Sequence, residues 1–221
     1  MAGEGQVGRP VLSLAERDRR WAALRAMMRE RQLDCLLVGG FRSRELYDTY
    51  VSDDYTEGAV IFPLEGEPVA ITWAAIRVLR AQTAAERGQQ LWVSDYRVAT
   101  TGAASAEIVR EKGLDRGRLG VVGLRTQAST ESGCILPFRW WQEFTETLPE
   151  LAIEDMYEPF CDIMIVKSDE ELALVRYAAE AGEAASRAMI EAVEEGVGEE
   201  MVYTEIMREI YRRGVGLHYP N

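Results

Sequence analysis

The residues able to do chemistry are few and poorly grouped. The 221-residue sequence holds one histidine, His218, and three cysteines, Cys35, Cys134 and Cys161. A serine–histidine–aspartate triad needs an imidazole close to its nucleophile, and a multi-histidine zinc site or an HExxH helix needs two or more. His218, near the C-terminal end, reads as a structural or exposed side chain. The cysteines form no CxxC pair and have apolar neighbours, as in Cys35-Leu36-Leu37-Val38, so they read as buried, inert thiols in a reducing compartment. Asp48, Asp53, Asp54 and Glu57 offer carboxylate oxygens to a cation, but without EF-hand spacing, and a solvated loop is the simpler expectation. Gly39-Gly40 and Gly196-Val197-Gly198 match neither GxGxxG nor GxxxxGK[ST]. Val121–Thr126 leaves a strand toward a polar loop and could hold an anion, but a tight turn is the simpler expectation. Trp140-Trp141 places adjacent rings about 100° apart on a helix, one for the core and one for a rim. No catalytic centre and no metal-ligand set assembles from these residues.

The elements that would position such residues alternate between helix and strand. Ser13-Leu14-Ala15-Glu16 has the form of a capping box. The helix it opens carries Leu14, Trp21, Leu24 and Met28 on one face, with Arg17, Arg19, Arg20 and Arg25 on the wet faces. Cys35–Val38 is a short apolar strand closed by Gly39-Gly40. A tyrosine-bearing polar stretch (Tyr47, Tyr50, Tyr55) leads to a hairpin with arms Gly58–Phe62 and Val69–Thr72. Helix is expected over 74–87, strand over 91–93, helix over 104–112, strand over 119–122, helix from Pro137 to Thr147 and strand over 151–153. The one hairpin among alternating units predicts an α/β domain with a mixed sheet flanked by helices.

Composition sets outer bounds. Apolar residues make up 47% and charged residues 28%, a globular balance. A net charge of −12 and a pI near 4.7 argue against nucleic-acid and anionic-membrane partners, both of which select basic surfaces. There is no secretory leader pattern and no run of about 18 apolar residues, so the chain reads as cytoplasmic, with no membrane partner.

The texture changes near residue 163. Ser168-Asp169-Glu170-Glu171 is a second capping box, opening a helix of about seven turns whose inner stripe is expected at Leu172, Val175, Ala179, Gly182, Ser186, Met189 and Val193. After Gly196-Val197-Gly198 a second amphipathic helix spans 199–213. Residues 168–213 hold 12 acidic and 5 basic side chains, so most of the negative charge lies there. The expected organisation is an N-terminal α/β domain over 1–162 and the start of a second, incomplete domain over 163–221, because two helices alone cannot bury such a stripe.

Val166-Lys167-Ser168-Asp169-Glu170-Glu171-Leu172, continued by Val175-Arg176-Tyr177-Ala178-Ala179-Glu180, resembles the entry helix of the catalytic domain in the creatinase/prolidase/aminopeptidase P family. Gly196, Glu199 and Gly214 fall where that family places a glycine, a glutamate and the end of its second helix. Trp21–Val38 is similar to the family's first helix and strand, and Leu46-Tyr47-Asp48-Thr49 to its Y-L-T-G segment. Departures occur at Tyr50, at Met164 and Val166, and at Glu195, positions where the family has glycine, arginine and proline; they leave the subfamily open.

The resemblance implies a creatinase/prolidase-type N-terminal domain followed by two helices of a truncated α+β pita-bread domain. It implies a parent that is a metal-dependent hydrolase of the Xaa-Pro dipeptidase type, acting on a small peptide or amide with two divalent metals (Mn, Co or Zn). The family's ligands lie beyond this sequence, so no metal, cofactor or catalytic residue is assigned to the chain, which alone is expected to be inactive. It implies a homodimer in which this portion shapes the partner's active site, with Asp53, Asp54 and Tyr55 nearest the substrate. The alternatives are a non-catalytic interaction module of the same fold, or part of a creatinase- or ectoine-hydrolase-like enzyme. The reading frame beyond Asn221 separates the module from the enzymes.

Overall fold

A computed structural model describes residues 9–41, 46–125 and 135–215. His218, Cys134 and Thr126 lie outside the described residues. The chain divides into two compact units, one of residues 17–166 and one of residues 1–16 with 167–221.

The larger unit is built on a six-stranded mixed sheet. Its strands are β1 (Cys35–Gly39), β2 (Ala59–Pro63), β3 (Val69–Thr72), β4 (Asp95–Val98), β5 (Arg118–Val122) and β6 (Ala152–Asp155), in spatial order β4-β3-β2-β1-β5-β6. β1–β2 and β2–β3 are antiparallel; β1–β5, β3–β4 and β5–β6 are parallel. β1 is central, which is why it is apolar at consecutive positions rather than at alternate ones: both its faces are covered. Successive side chains of a strand point to opposite faces. Leu36 and Val38 therefore pack with Val60, Phe62 and Ala70 in one core, while Cys35 and Leu37 pack with Ile61, Val69, Ile71, Leu119 and Val121 in the other.

The first core is closed by α1 (Leu14–Arg31) through Trp21, Leu24 and Met28, by α2 (Tyr47–Ser52) through Tyr47, Tyr50 and Val51, and by α6 (Tyr157–Ile165) through Phe160. The second is closed by α4 (Gly102–Glu111) through Ala106, Ile108 and Val109 and by α5 (Phe138–Thr147) through Trp140 and Phe144. α4 and α5 touch at Gly102, where a Cβ would lie 1.8 Å from the Trp140 carbonyl oxygen and 2.6 Å from the Phe144 nitrogen. Only glycine admits that approach. α3 (Ala75–Glu86) buries Ala81 and Ala84 and lies beside β4. The outermost strands carry charge: Asp95 and Arg97 of β4 pair at 2.9 Å, and Glu154 of β6 meets Arg118 at 3.0 Å and Arg31 at 3.5 Å. The Arg97 guanidinium holds the Asp95 carboxyl below the usual carboxylate range.

Several local expectations need correction. Residues 91–93 are not a strand; Trp92 and Val93 are buried in irregular backbone, and the strand that pairs with β3 begins at Asp95. Arg20 does not face water. It is buried, stacks on Tyr50 (4.4 Å) and Trp92 (5.1 Å), and donates to the Tyr50 carbonyl at 3.1 Å. Pro137 is the N-cap of α5 rather than its first helical residue, with extended backbone. The helices α2 and α6 have no counterpart in the sequence expectations.

The smaller unit is dominated by α7 (Asp169–Ala192) and α8 (Glu199–Arg212), which pack on each other. The capping box at Ser168 is complete: its hydroxyl accepts from Glu171 N at 3.2 Å and the Glu171 carboxylate accepts from Ser168 N at 2.9 Å. At Ser13 half of the box forms. Its hydroxyl accepts from Glu16 N, but its own N–H donates to Glu170 at 2.8 Å. The expected inner stripe of α7 is displaced by about one residue. Ala181 and Ala185 are the buried positions, Tyr177 donates to the Arg213 carbonyl at the end of α8, and Val175, Gly182, Ser186, Met189 and Val193 are exposed. Small residues occur on both rows (Ala179, Gly182 and Ser186 on one, Ala181 and Ala185 on the other), so residue size alone does not choose the seam; packing against α8 does.

Candidate functional site

The loop after α2 is the site the sequence points to, and it is held at several places. Asp53 takes a left-handed conformation (φ 53°) and its N–H donates to the Thr49 carbonyl at 2.9 Å, ending α2. The Asp54 carboxylate receives the Tyr96 hydroxyl at 3.0 Å and Arg77 Nη1 at 3.3 Å. The other Arg77 amine reaches Glu57 at 3.5 Å, and the guanidinium carbon lies 5.7 Å from the centre of the Tyr55 ring. One cation from α3 thus gathers Asp54, Tyr55 and Glu57, and Tyr96 of β4 adds a hydrogen bond. Burial and the neighbouring Asp54 charge push the Tyr96 hydroxyl well above its ordinary value, so it stays a donor.

Beneath the loop lies Asp48. It is fully buried at the start of α2, and one carboxylate oxygen accepts both Thr56 N and Thr56 Oγ1 at 2.7 Å. Its other oxygen has no hydrogen-bond partner among the described residues. Burial outweighs the Thr56 bonds and pushes the carboxyl up to about 6. Gly40 makes room for this side chain: a Cβ there would lie 2.2 Å from the Asp48 carboxylate.

The four carboxylates noted in the sequence therefore do not form a cation site. Asp48 faces inward to Thr56, while Asp54 and Glu57 share Arg77. Among the described residues, no three histidine, cysteine, aspartate or glutamate side chains converge to hold a metal ion. Those residues do not fit a two-metal centre, and no step through a metal is derived for them. The anion reading of the turn after β5 does not hold for Arg125, whose charge is engaged by Asp155 (2.9 Å) and Glu158 (3.2 Å). The Gly40 amide is likewise occupied, donating to the Gly58 carbonyl at 2.8 Å. Cys35 is buried, and burial together with Asp34 pushes its thiol up to about 12, so it is not a nucleophile at neutral pH. Trp140 is buried and stacks on Phe144 at 5.3 Å, while Trp141 is only partly buried, the division expected for adjacent rings.

Arg77 and Tyr96 were not indicated by the sequence, because they lie 23 and 42 residues from Asp54. The only local signal was the acidic character of the loop, which requires a counter-charge without naming it.

The architecture is that of solved prolidase-type structures. The prolidase from Pyrococcus horikoshii OT3 is similar at 17% identity with a TM-score of 0.61, over 88% of this chain and 48% of that one. The Xaa-Pro dipeptidase from Bacillus anthracis is similar at 17% identity and a TM-score of 0.59, over 89% and 49%. The X-Pro aminopeptidase from Thermotoga maritima MSB8 is similar at 13% identity and a TM-score of 0.63, over 88% and 49%. The chain spans about half the length of these structures. No protein-family model matches the sequence, and comparison with curated proteins gives no match. At these identities the likeness is one of fold, and it agrees with the mixed sheet flanked by helices expected from the sequence. No helix among the described residues is long and apolar enough to cross a membrane.

Proposed function

We propose that this chain is the N-terminal portion of a metal-dependent hydrolase of the Xaa-Pro dipeptidase type, and that its work is to pair two copies and shape the partner's substrate pocket. The observation that carries the reading is the fold likeness to prolidase and X-Pro aminopeptidase structures, extending over 88% of this chain and about half of each of those. In this reading the catalytic metals belong to residues outside the described ones, and the substrate is a small peptide or amide. The segment Asp53, Asp54 and Tyr55 is the part that approaches the neighbouring pocket. Its support is the rigidity of that loop. A loop fixed by Arg77, Tyr96 and Asp48 presents a defined wall to a substrate, as a positioning element must.

The test compares two proteins, one expressed from the complete reading frame and one of these 221 residues, on an Xaa-Pro dipeptide with added Mn²⁺ or Co²⁺. Turnover by the first and none by the second is the expected result. Turnover by the 221 residues alone refutes the assignment of the metals elsewhere. A reading frame that stops at Asn221 replaces the enzyme with a non-catalytic interaction module of the same fold.

A further inference from the structure

We propose that residues 53–57 form a strap over Asp48 that opens more readily once Asp48 is ionised, so that the loop after α2 carries its own response to pH. The strap is hinged at both ends. Asp53 and Glu57 take left-handed conformations (φ 53° and 55°), and Leu46, at the start of α2, does the same (φ 49°). They are three of the four non-glycine residues with positive φ among the described residues, and such backbone persists only where surrounding bonds enforce it.

The enforcing bonds lie on two sides. Outside, Asp54 is tied to Tyr96 and Arg77, and Glu57 to Arg77. Inside, Thr56 lies directly on Asp48, with its amide and its hydroxyl both 2.7 Å from one carboxylate oxygen. Thr56 and Asp48 are both fully buried, and the Gly40 backbone closes another side of the carboxylate. Lifting the strap is thus a way for water to reach this group without unfolding the sheet beneath it.

The surroundings give a negative charge little support. α2 contributes the phenols of Tyr47 and Tyr50; α6 sets Tyr157 against Tyr47, and α1 sets Arg20 on the Tyr50 ring and carbonyl. β4 contributes Tyr96, whose hydroxyl the Asp48 charge helps to keep protonated. Arg77 of α3 is shared by Asp54 and Glu57. No cation among the described residues is paired with Asp48, and its carboxyl rises from 3.8 to about 6 chiefly through burial. Hydration in the open form returns it toward the ordinary value. Closure is therefore fully favoured below about pH 4, weakens as the pH rises to about 6 and stays weaker above that. The opening constant should be about 50-fold larger at pH 7 than at pH 4.

Amide hydrogen exchange of the 221-residue chain, followed residue by residue by NMR and corrected for the intrinsic rate at each pH, reads this opening. The Thr56 amide should be less protected than the amides of the central strand β1 at every pH, and its protection should fall about 50-fold from pH 4 to pH 7. In Asp48→Asn, with circular dichroism confirming the fold, Thr56 protection should not vary with pH. If that variant does not fold, NMR titration of the Asp48 carboxyl carbon in the unmodified chain decides: its midpoint should lie near pH 6, where the loss of Thr56 protection levels off.

Thr56 protection equal to that of the β1 amides at every pH means that the segment opens only with the whole unit, and overturns the strap. Protection that is flat with pH in the unmodified chain, a pH dependence that survives in Asp48→Asn, or an Asp48 midpoint near 4 overturns the control by Asp48. None of these outcomes depends on catalytic activity, so the hydrolase reading is judged separately by its own assay.

Discussion

Replacing Asp48 with asparagine should stabilise the larger unit at neutral pH and remove a specific part of its pH dependence. Asp48 is fully buried, and its carboxyl is raised from 3.8 to about 6 chiefly by loss of hydration. A carboxyl with a raised value binds its proton more tightly folded than unfolded. Stability from this group is therefore fully present below about pH 4, falls as the pH rises to about 6, and stays low above that. The shift corresponds to about 3 kcal/mol, taking about 1.4 kcal/mol for each pH unit. Asparagine keeps an oxygen to accept the two 2.7 Å bonds from Thr56, but puts an amide NH₂ where the second oxygen has no hydrogen-bond partner. That unsatisfied donor costs about 1–2 kcal/mol, leaving a net gain of about 1 kcal/mol at pH 7.

Tryptophan fluorescence suits the assay. All five tryptophans (Trp21, Trp73, Trp92, Trp140 and Trp141) lie in the same unit as Asp48. Urea unfolding of both proteins across this pH range should show the difference between them changing by about 3 kcal/mol in favour of asparagine as the pH rises. A difference that is flat with pH, or that changes in the opposite sense, would refute the argument that burial dominates at Asp48.

Two glycine substitutions should act in opposite directions. Gly102→Ala drives a methyl into the backbone of α5 and should cost about 2–3 kcal/mol or more, lowering the urea midpoint seen by fluorescence. Gly182→Ala, in the middle of α7 with nothing near its added Cβ, should stabilise that helix by about 0.5–1 kcal/mol, read from ellipticity during thermal unfolding. Ser168→Ala removes the hydroxyl of the complete capping box and should cost the same helix about 1 kcal/mol, by the same measurement. Iodoacetamide at neutral pH should leave Cys35 unlabelled until denaturant is added, as peptide mapping would show; rapid native labelling would contradict its burial.

The elements that were legible in the sequence are those whose signals are local. The β2–β3 hairpin carries its own turn residues, α7 its capping box, and β1 a run of apolar residues that only a central strand needs. The helix α2 was not legible: it has six residues, and its N-cap, Leu46, supplies no side-chain cap. In α6, Pro159 in the first turn reads as a breaker although that position tolerates it. The seam of α7 was misplaced because alanine has no strong preference for core or surface, and its partner decides which row is buried. At the site, the acidic loop was visible but its organisation was not. Asp48 and Asp54 are the same residue type six positions apart. One is buried against Thr56 and the other is paired to Arg77, a difference set by packing rather than by neighbouring letters.

Arg77 also constrains how this loop can change over generations. If the guanidinium is lost first, Asp54 and Glu57 are left with uncompensated like charges. If the carboxylates are lost first, a largely enclosed cation remains. Each first step is costly although the completed exchange need not be, so these positions are epistatic: the effect of a substitution at one depends on what the others hold. Sequence drift in the loop and in α3 is thereby tied together, although the two segments are far apart in the chain.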